Sequence, residues 1–338
     1  LCYLDAPFMG EKKPDIASKL RVRYMQWGDG DLALIHSRRW SDRLMEVNKF
    51  TPGDKDSREV VFSMSAEDSY NDPGSFDMTR NDYGKSVLLK DKNTLFLTGQ
   101  GASPDGDRPF LRSYDIKSGN TEEIWRSEAP YYEYVAQVID PKSMAFITRR
   151  ESKNMPPNYF MHVAKKKEAR QLTTFENPYL ALEGIEKQVI QYKRADGVNL
   201  TGNLYLPKGY DPERDGTLPV LMWAYPDEYK SAEAASQVKG SPYRFIRLYS
   251  GSPLFWLTRG YAILDDPGMP VVGEGDAEPN DSFRKQLVMN GQAAIDKLVD
   301  MGIADRSRVA IGGHSYGAFM TANLLAHSDL FAAGIARS

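Results

Sequence analysis

Two glycines placed two residues either side of a serine, in Gly313-His314-Ser315-Tyr316-Gly317, constrain this chain more than any other feature. A strand that turns at once into a helix brings the two elements almost into contact, so the flanking positions must be small. The residue at the apex is then forced into strained backbone geometry. Arg308-Val309-Ala310-Ile311-Gly312 supplies the strand, and Ala318-Phe319-Met320-Thr321-Ala322-Asn323-Leu324-Leu325 the helix. A helix N-terminus behind Ser315 favours negative charge developing there. Ser315 is therefore the candidate nucleophile.

The elbow lies in the second of two stretches with different grammar. Residues 1–182 show no convincing amphipathic helix; short β-rich runs alternate with polar turns. Three groups recur. One holds Leu32–Ile35, Leu44–Val47 and Glu59–Phe62; the next holds Thr94–Leu97, Phe110–Tyr114 and Glu123–Trp125; the last holds Met144–Ile147, Tyr159–Val163 and Arg170–Leu172. Their spacing, on the order of 50 residues, is close to that of propeller blades. One small sheet cannot bury both faces, so neighbours must stack. The expectation is a partial β-propeller, with an irregular β-sandwich as the alternative. Residues 183–338 alternate strands and helices. A hairpin around Ala195-Asp196-Gly197-Val198 leads into the apolar run Pro219–Tyr225 and a helix at Ser252–Arg259 closed by Gly260. After strand Tyr261–Leu264 come an amphipathic helix from Asp281 to Met301, the elbow, and a strand at Ala332–Ala336. That order implies a parallel sheet wrapped on both sides: part of an α/β-hydrolase.

Composition removes several function classes. The 338 residues carry a net charge of −3, which gives no electrostatic case for nucleic acid. The basic run Lys165-Lys166-Lys167 reads as a solvated turn. No apolar stretch is long enough to span a bilayer. One cysteine, Cys2, excludes an internal disulfide framework. The chain begins without Met inside what reads as a strand, so more chain is expected upstream, and compartment is not legible. Gly273-Glu274-Gly275-Asp276 lacks the spacing of a nucleotide loop and reads as an acidic surface loop. No cofactor and no metal site are expected.

The elbow run Val309–His327 resembles the prolyl oligopeptidase family, and within it the glutamyl endopeptidase branch of plastids and bacteria. Gly334-Ile335-Ala336-Arg337-Ser338, Gly273-Glu274-Gly275-Asp276, Lys239-Gly240-Ser241-Pro242 and Leu4-Asp5-Ala6-Pro7-Phe8 are similar to the same branch. The resemblance implies a peptidase acting on peptides through an acyl-enzyme, with cleavage after Glu. It implies that a tyrosine at a strand end donates to the oxyanion. Tyr225 matches that position, although Pro226-Asp227-Glu228-Tyr229 replaces the usual Gly-rich continuation, leaving Tyr229 as a rival. The second donor would be the Tyr316 backbone N–H. A Glu side chain at the cleavage site needs a cation, best a bidentate arginine. Arg244, Arg247, Arg284 and Lys239 are candidates, with Arg149 and Arg150 possible from the first stretch. His314 adjoins the serine but would point away, and His36, His162 and His327 are poorly placed. Fold order puts an acid and then a histidine after the serine, and only Asp329 follows among acids, too near the helix end. The triad acid and base are thus expected outside these residues, and the sheet is expected to show an apolar edge near Ser338. An esterase, or a binding protein without activity, are the competing readings.

Overall fold

The structure is a computed structural model that describes residues 2–4, 7–14, 16–163 and 168–338. Lys165-Lys166-Lys167, and Asp5 and Ala6 of the first resemblance, lie outside the described residues. Three larger antiparallel sheets occupy residues 21–171, beside two short two-stranded ones. The first runs Arg21–Trp27, Ala33–Arg38, Leu44–Phe50, Glu59–Ser65; the second Lys90–Asp91, Thr94–Gly99, Phe110–Asp115, Thr121–Arg126; the third Tyr132–Asp140, Ala145–Glu151, Asn158–Val163, Arg170–Gln171.

Period-2 alternation explains why they stack. In Thr94–Gly99, Leu95 and Leu97 face one way, into a core with Leu34, Val47, Phe76 and Tyr114. Phe96 faces the other way, into a core with Leu111, Val138 and Phe146. One central sheet is thus sealed on both faces by its neighbours. Each of the three expected groups gains a leading strand. Arg21–Trp27 and Tyr132–Asp140 escaped notice because bulges interrupt their register and many of their residues are exposed or only half-buried.

From Glu186 the architecture changes. A six-stranded sheet is built from β1 (Glu186–Lys193), β2 (Asn199–Leu206), β3 (Leu218–Trp223), β4 (Ala262–Asp265), β5 (Ala304–His314) and β6 (Ala333–Arg337), in the order β1-β2-β4-β3-β5-β6. β4, β3, β5 and β6 are mutually parallel, and β1 and β2 form the hairpin expected around Gly197, which takes φ 96°. β6 is the edge strand, and all five of its residues are exposed.

Helix α1 (Phe283–Asp300) packs on the Met269–Val272 strand and on β5, and buries Phe283, Leu287, Ala294, Ile295 and Leu298 in the core they share. Their spacing of three, four and seven residues places one stripe on the sheet. It starts two residues later than expected, because Pro279 opens a 3₁₀ turn at Pro279–Ser282, boxed by Glu278 and Asp281. Pro253–Arg259 is also 3₁₀ rather than α, closed by Gly260 at φ 80°. Helix α2 (Tyr316–His327) follows the elbow and packs on β5 and β6. Among the described residues no helix is long and apolar enough to cross a membrane.

The two parts meet through polar contacts. The Gln237 side chain accepts from Ser69 N at 2.7 Å and donates to Asp68 at 2.8 Å. Asp107 N donates to the Gly240 carbonyl at 2.8 Å, and Glu67 accepts from Lys230 N at 3.0 Å.

Candidate active site

Ser315 sits between β5 and α2 with φ 55° and ψ −113°. This is costly for a residue with a Cβ, and it is held by what surrounds it. Its N–H donates to the Arg337 carbonyl at 2.9 Å, while its own carbonyl accepts from Ala318 N and Phe319 N. The two glycines are sterically obligatory. A Cβ on either Gly313 or Gly317 would lie 2.5 Å from the Ala224 carbonyl oxygen. The chain leaving β3 therefore crosses directly over the elbow.

That crossing delivers Tyr225. Its ring meets the Tyr316 ring edge-on, with centroids 5.9 Å apart, and Tyr225 is 47% exposed. The rival Tyr229 is buried, and its hydroxyl accepts from Lys239 Nζ, within reach of Asp227. Of the two tyrosines, Tyr225 is thus the one on the elbow. The Tyr316 hydroxyl donates to Glu228 at 3.0 Å. Burial first, and then that carboxylate, push the Tyr316 phenol up to about 12.

Ser315 is exposed, and its hydroxyl has no hydrogen-bond partner among the described residues. None of the four histidines reaches it. His36 bonds Gln26 and His162 bonds Glu133, while His327 lies 3.4 Å from Arg284. A cavity lies between the two parts, and Ser315 is not among the residues that line it.

That cavity, about 770 Å³, opens between the second and third antiparallel sheets and the mixed sheet. Arg244 and Arg247 line it with Arg149, Lys187, Glu151 and Asp265. Arg244 Nη2 donates to the Tyr132 hydroxyl at 2.7 Å, which in turn bonds Gln100, and its Nε is buried with no partner. Arg247 pairs with Glu151. Two other candidates lie elsewhere. Lys239 is held by Tyr229 and Asp227, and Arg284 is exposed at the start of α1 beside His327. Arg150 pairs with Glu133 away from this cavity.

Sequence reasoning missed Lys187 and Asp265. Lys187 is 4% exposed and donates to the Ser241 and Arg244 carbonyls at 3.3 and 3.4 Å. Burial, and then Arg244, lower it to about 8. Asp265 ends β4, and burial, then Asp266, raise it to about 7. An acidic pair at the carboxyl end of a parallel strand was the available signal, since ligands gather at that end of open α/β sheets. β3 leads into Tyr225, β4 ends at Asp265 in the cavity wall and β5 leads into Ser315, so all three features lie at the carboxyl ends of parallel strands.

Known proteins resemble this arrangement. Residues 284–338 match the prolyl oligopeptidase family profile. The chain is 45% identical, over 98% of its length and 36% of the relative's, to a protein of Arabidopsis thaliana named "Probable glutamyl endopeptidase, chloroplastic". A protein of the same name from Oryza sativa subsp. japonica is 44% identical, over 98% of this chain and 37% of that one. The chain thus spans little more than a third of the length of these relatives. Dipeptidyl peptidase 4 of Porphyromonas gingivalis shares the fold at a TM-score of 0.61 and 17% identity, covering 99% of this chain and 44% of that one. The elbow with its flanks, the high identity along nearly the whole chain and the shared fold agree: residues 284–338 match the prolyl oligopeptidase family, and the rest of the chain is similar to proteins that carry the same elbow.

Proposed function

We propose that this chain carries the nucleophile and oxyanion donors of a serine peptidase, with residues 1–182 as blades of a β-propeller and residues 183–338 as part of the α/β-hydrolase unit. The observation that carries the reading is Ser315 at positive φ, directly beneath the Ala224–Tyr225 crossing. Ser315 Oγ attacks the peptide carbonyl carbon and gives its proton to a base other than the four histidines here. The amine leaves protonated, and water releases the acyl group. The developing oxyanion is held by the Tyr225 hydroxyl and the Tyr316 backbone N–H. Substrates are peptides, admitted through the cavity between the two parts, and no cofactor takes part.

Cleavage after Glu is the finer proposal. The relatives' name supports it, as does Arg244, a cavity-lining guanidinium with an Nε donor left unpaired. Arg247 is the second cation, partly neutralised by Glu151; Lys239 and Arg284 are supported less by their positions.

The test uses the protein that carries this chain. A fluorophosphonate should label it, and Ser315→Ala should abolish labelling. Substrates with Glu should be preferred to isosteric Gln by roughly 30-fold in kcat/KM, because the neutral amide leaves a buried cation unpaired. Arg244→Met should erase that preference. Labelling that survives Ser315→Ala would refute the nucleophile, and equal rates for Glu and Gln would refute the cationic pocket.

A further inference from the structure

A second cavity, of about 320 Å³, is lined by Lys19, Leu20, Arg21, Arg23, Arg38, Arg39 and Trp40, with no acid among them. This runs against a chain of net charge −3. Arg39 is neutralised by Asp42. Lys19, Arg21, Arg23 and Arg38 form no ion pair among the described residues, and Arg38 feels the Glu67 carboxylate only at longer range. Arg21 and Arg38 are directly opposed across two antiparallel strands, where like charges repel. Arg23 is the extra residue of a bulge between Val22 and Tyr24. Arg38 Nε is buried without a partner, and burial followed by the Arg43 charge holds its guanidinium below the ordinary value. Folding has gathered four like charges with no carboxylate among them, three of them exposed to solvent and one, Arg38, with its Nε donor buried and unpaired.

Its position is equally specific. Trp40, 63% exposed, lies under the Arg43 guanidinium at 3.8 Å and near that of Arg38 at 4.9 Å. Arg43 pairs with Glu67 at 2.8 Å, and Glu67 accepts from Lys230 N, two residues beyond Glu228. Glu228 holds Tyr316. The cationic cavity is therefore linked to the serine elbow through Arg43, Glu67, the Glu228–Lys230 backbone and Tyr316.

We propose that this cavity is an exosite for an acidic peptide segment, whose side-chain carboxylates pair with Arg21, Arg23, Arg38 and Lys19. A single oxyanion is satisfied by one or two guanidinium forks. Three arginines on two adjacent strands, with Lys19 just before the first, match several carboxylates on one extended chain, and the exposed part of Trp40 offers it an apolar rest. The purpose of the site, holding acidic substrates for Ser315, rests on the peptidase reading; the binding itself does not.

Binding is measured with a hexaglutamate peptide on the Ser315→Ala form of the protein that carries this chain, by calorimetry and Trp40 fluorescence. Hexaglutamate should bind, weaken as salt rises, and lose about 10-fold or more in affinity in Arg21→Gln and in Arg38→Gln. Hexaglutamine should not bind. Arg21 is exposed, so its variant remains informative if Arg38→Gln fails to fold. With Ser315 intact, Arg21→Gln should lower kcat/KM on a long acidic substrate about 10-fold and leave a four-residue substrate unchanged. Unaltered hexaglutamate binding in Arg21→Gln would overturn the proposal. Inorganic phosphate binding as tightly as the peptide would replace the peptide with a small oxyanion and overturn it equally. Binding without cleavage would refute the peptidase reading alone, whereas cleavage without hexaglutamate binding would refute the exosite alone.

Discussion

The Tyr316 hydroxyl donates to the Glu228 carboxylate at 3.0 Å, tying the first residue of the elbow helix to the Pro226–Tyr229 strand that follows Tyr225. The residue proposed to offer its backbone N–H to the oxyanion is thereby anchored by its own side chain. It is anchored, moreover, to the segment that directly follows Tyr225, the second proposed donor.

Tyr316→Phe keeps the N–H and loses the anchor. We expect kcat to fall by less than about 10-fold, a loss of one neutral-to-charged hydrogen bond rather than of an oxyanion donor. Since the Tyr316 phenol is raised to about 12, the wild-type rate should show no ionisation of Tyr316 below pH 10. A fall of 10² or more in Tyr316→Phe would place the hydroxyl at the substrate instead.

Tyr225→Phe should behave differently, lowering kcat about 10²–10³-fold with little change in KM. Tyr229→Phe should leave kcat nearly unchanged, because that hydroxyl is engaged by Lys239 away from the elbow. Steady-state kinetics on both variants decides between them, and a reversed pattern would transfer the role to Tyr229.

The elbow was legible because sterics impose it: only small residues fit where Ala224 crosses Gly313 and Gly317, and glycine spacing is visible in a sequence. The stacked sheets were legible from apolar alternation in strands such as Thr94–Gly99. Charged residues were not. Arg244 and Arg284 look alike as letters, yet one lines the cavity and the other lies beside His327, because their destinations depend on loop paths that no periodicity encodes. Lys187 sits at the start of a hairpin strand like any solvated lysine, and only the Ser241–Arg244 loop folding over it makes it buried.

Gly313→Ala and Gly317→Ala should each destabilise the protein by about 1–3 kcal/mol, the usual range for an overpacked contact. The obstacle in both is a backbone carbonyl 2.5 Å away, which cannot rotate aside as a side chain could. Urea unfolding measures the loss, and fluorophosphonate labelling should slow in parallel as Ser315 is displaced. Wild-type stability in either variant would show that the β3 crossing is looser than described.

The pair Lys187 and Asp265 predicts a stability profile with two slopes of opposite sign. The folded state lowers Lys187 from 10.5 to about 8, chiefly through burial and then through Arg244. Between those values the unfolded chain holds a proton that the folded chain has released, so stability rises with pH. Below about pH 8 both states are protonated, and the buried charge is a constant cost. Asp265 acts the other way. The folded state raises it from 3.8 to about 7, through burial and then Asp266, against the opposing charge of Lys187. From pH 4 to 7 the folded chain retains a proton that the unfolded chain has lost. The Asp265 contribution is therefore complete below about pH 4 and gone above about pH 7. Urea unfolding at half-unit intervals from pH 4 to 10, on wild type, Lys187→Met and Asp265→Asn, isolates each slope by difference. Lys187→Met should flatten the rise above pH 8, and Asp265→Asn should remove part of the decline below pH 7. Asp265→Asn also withdraws the nearby negative charge, so its rise should begin at a lower pH than in wild type. An unchanged slope above pH 8 in Lys187→Met would mean that Lys187 keeps its proton in the folded protein. The loop carrying Arg244 would then be clamped by a cation throughout the working range.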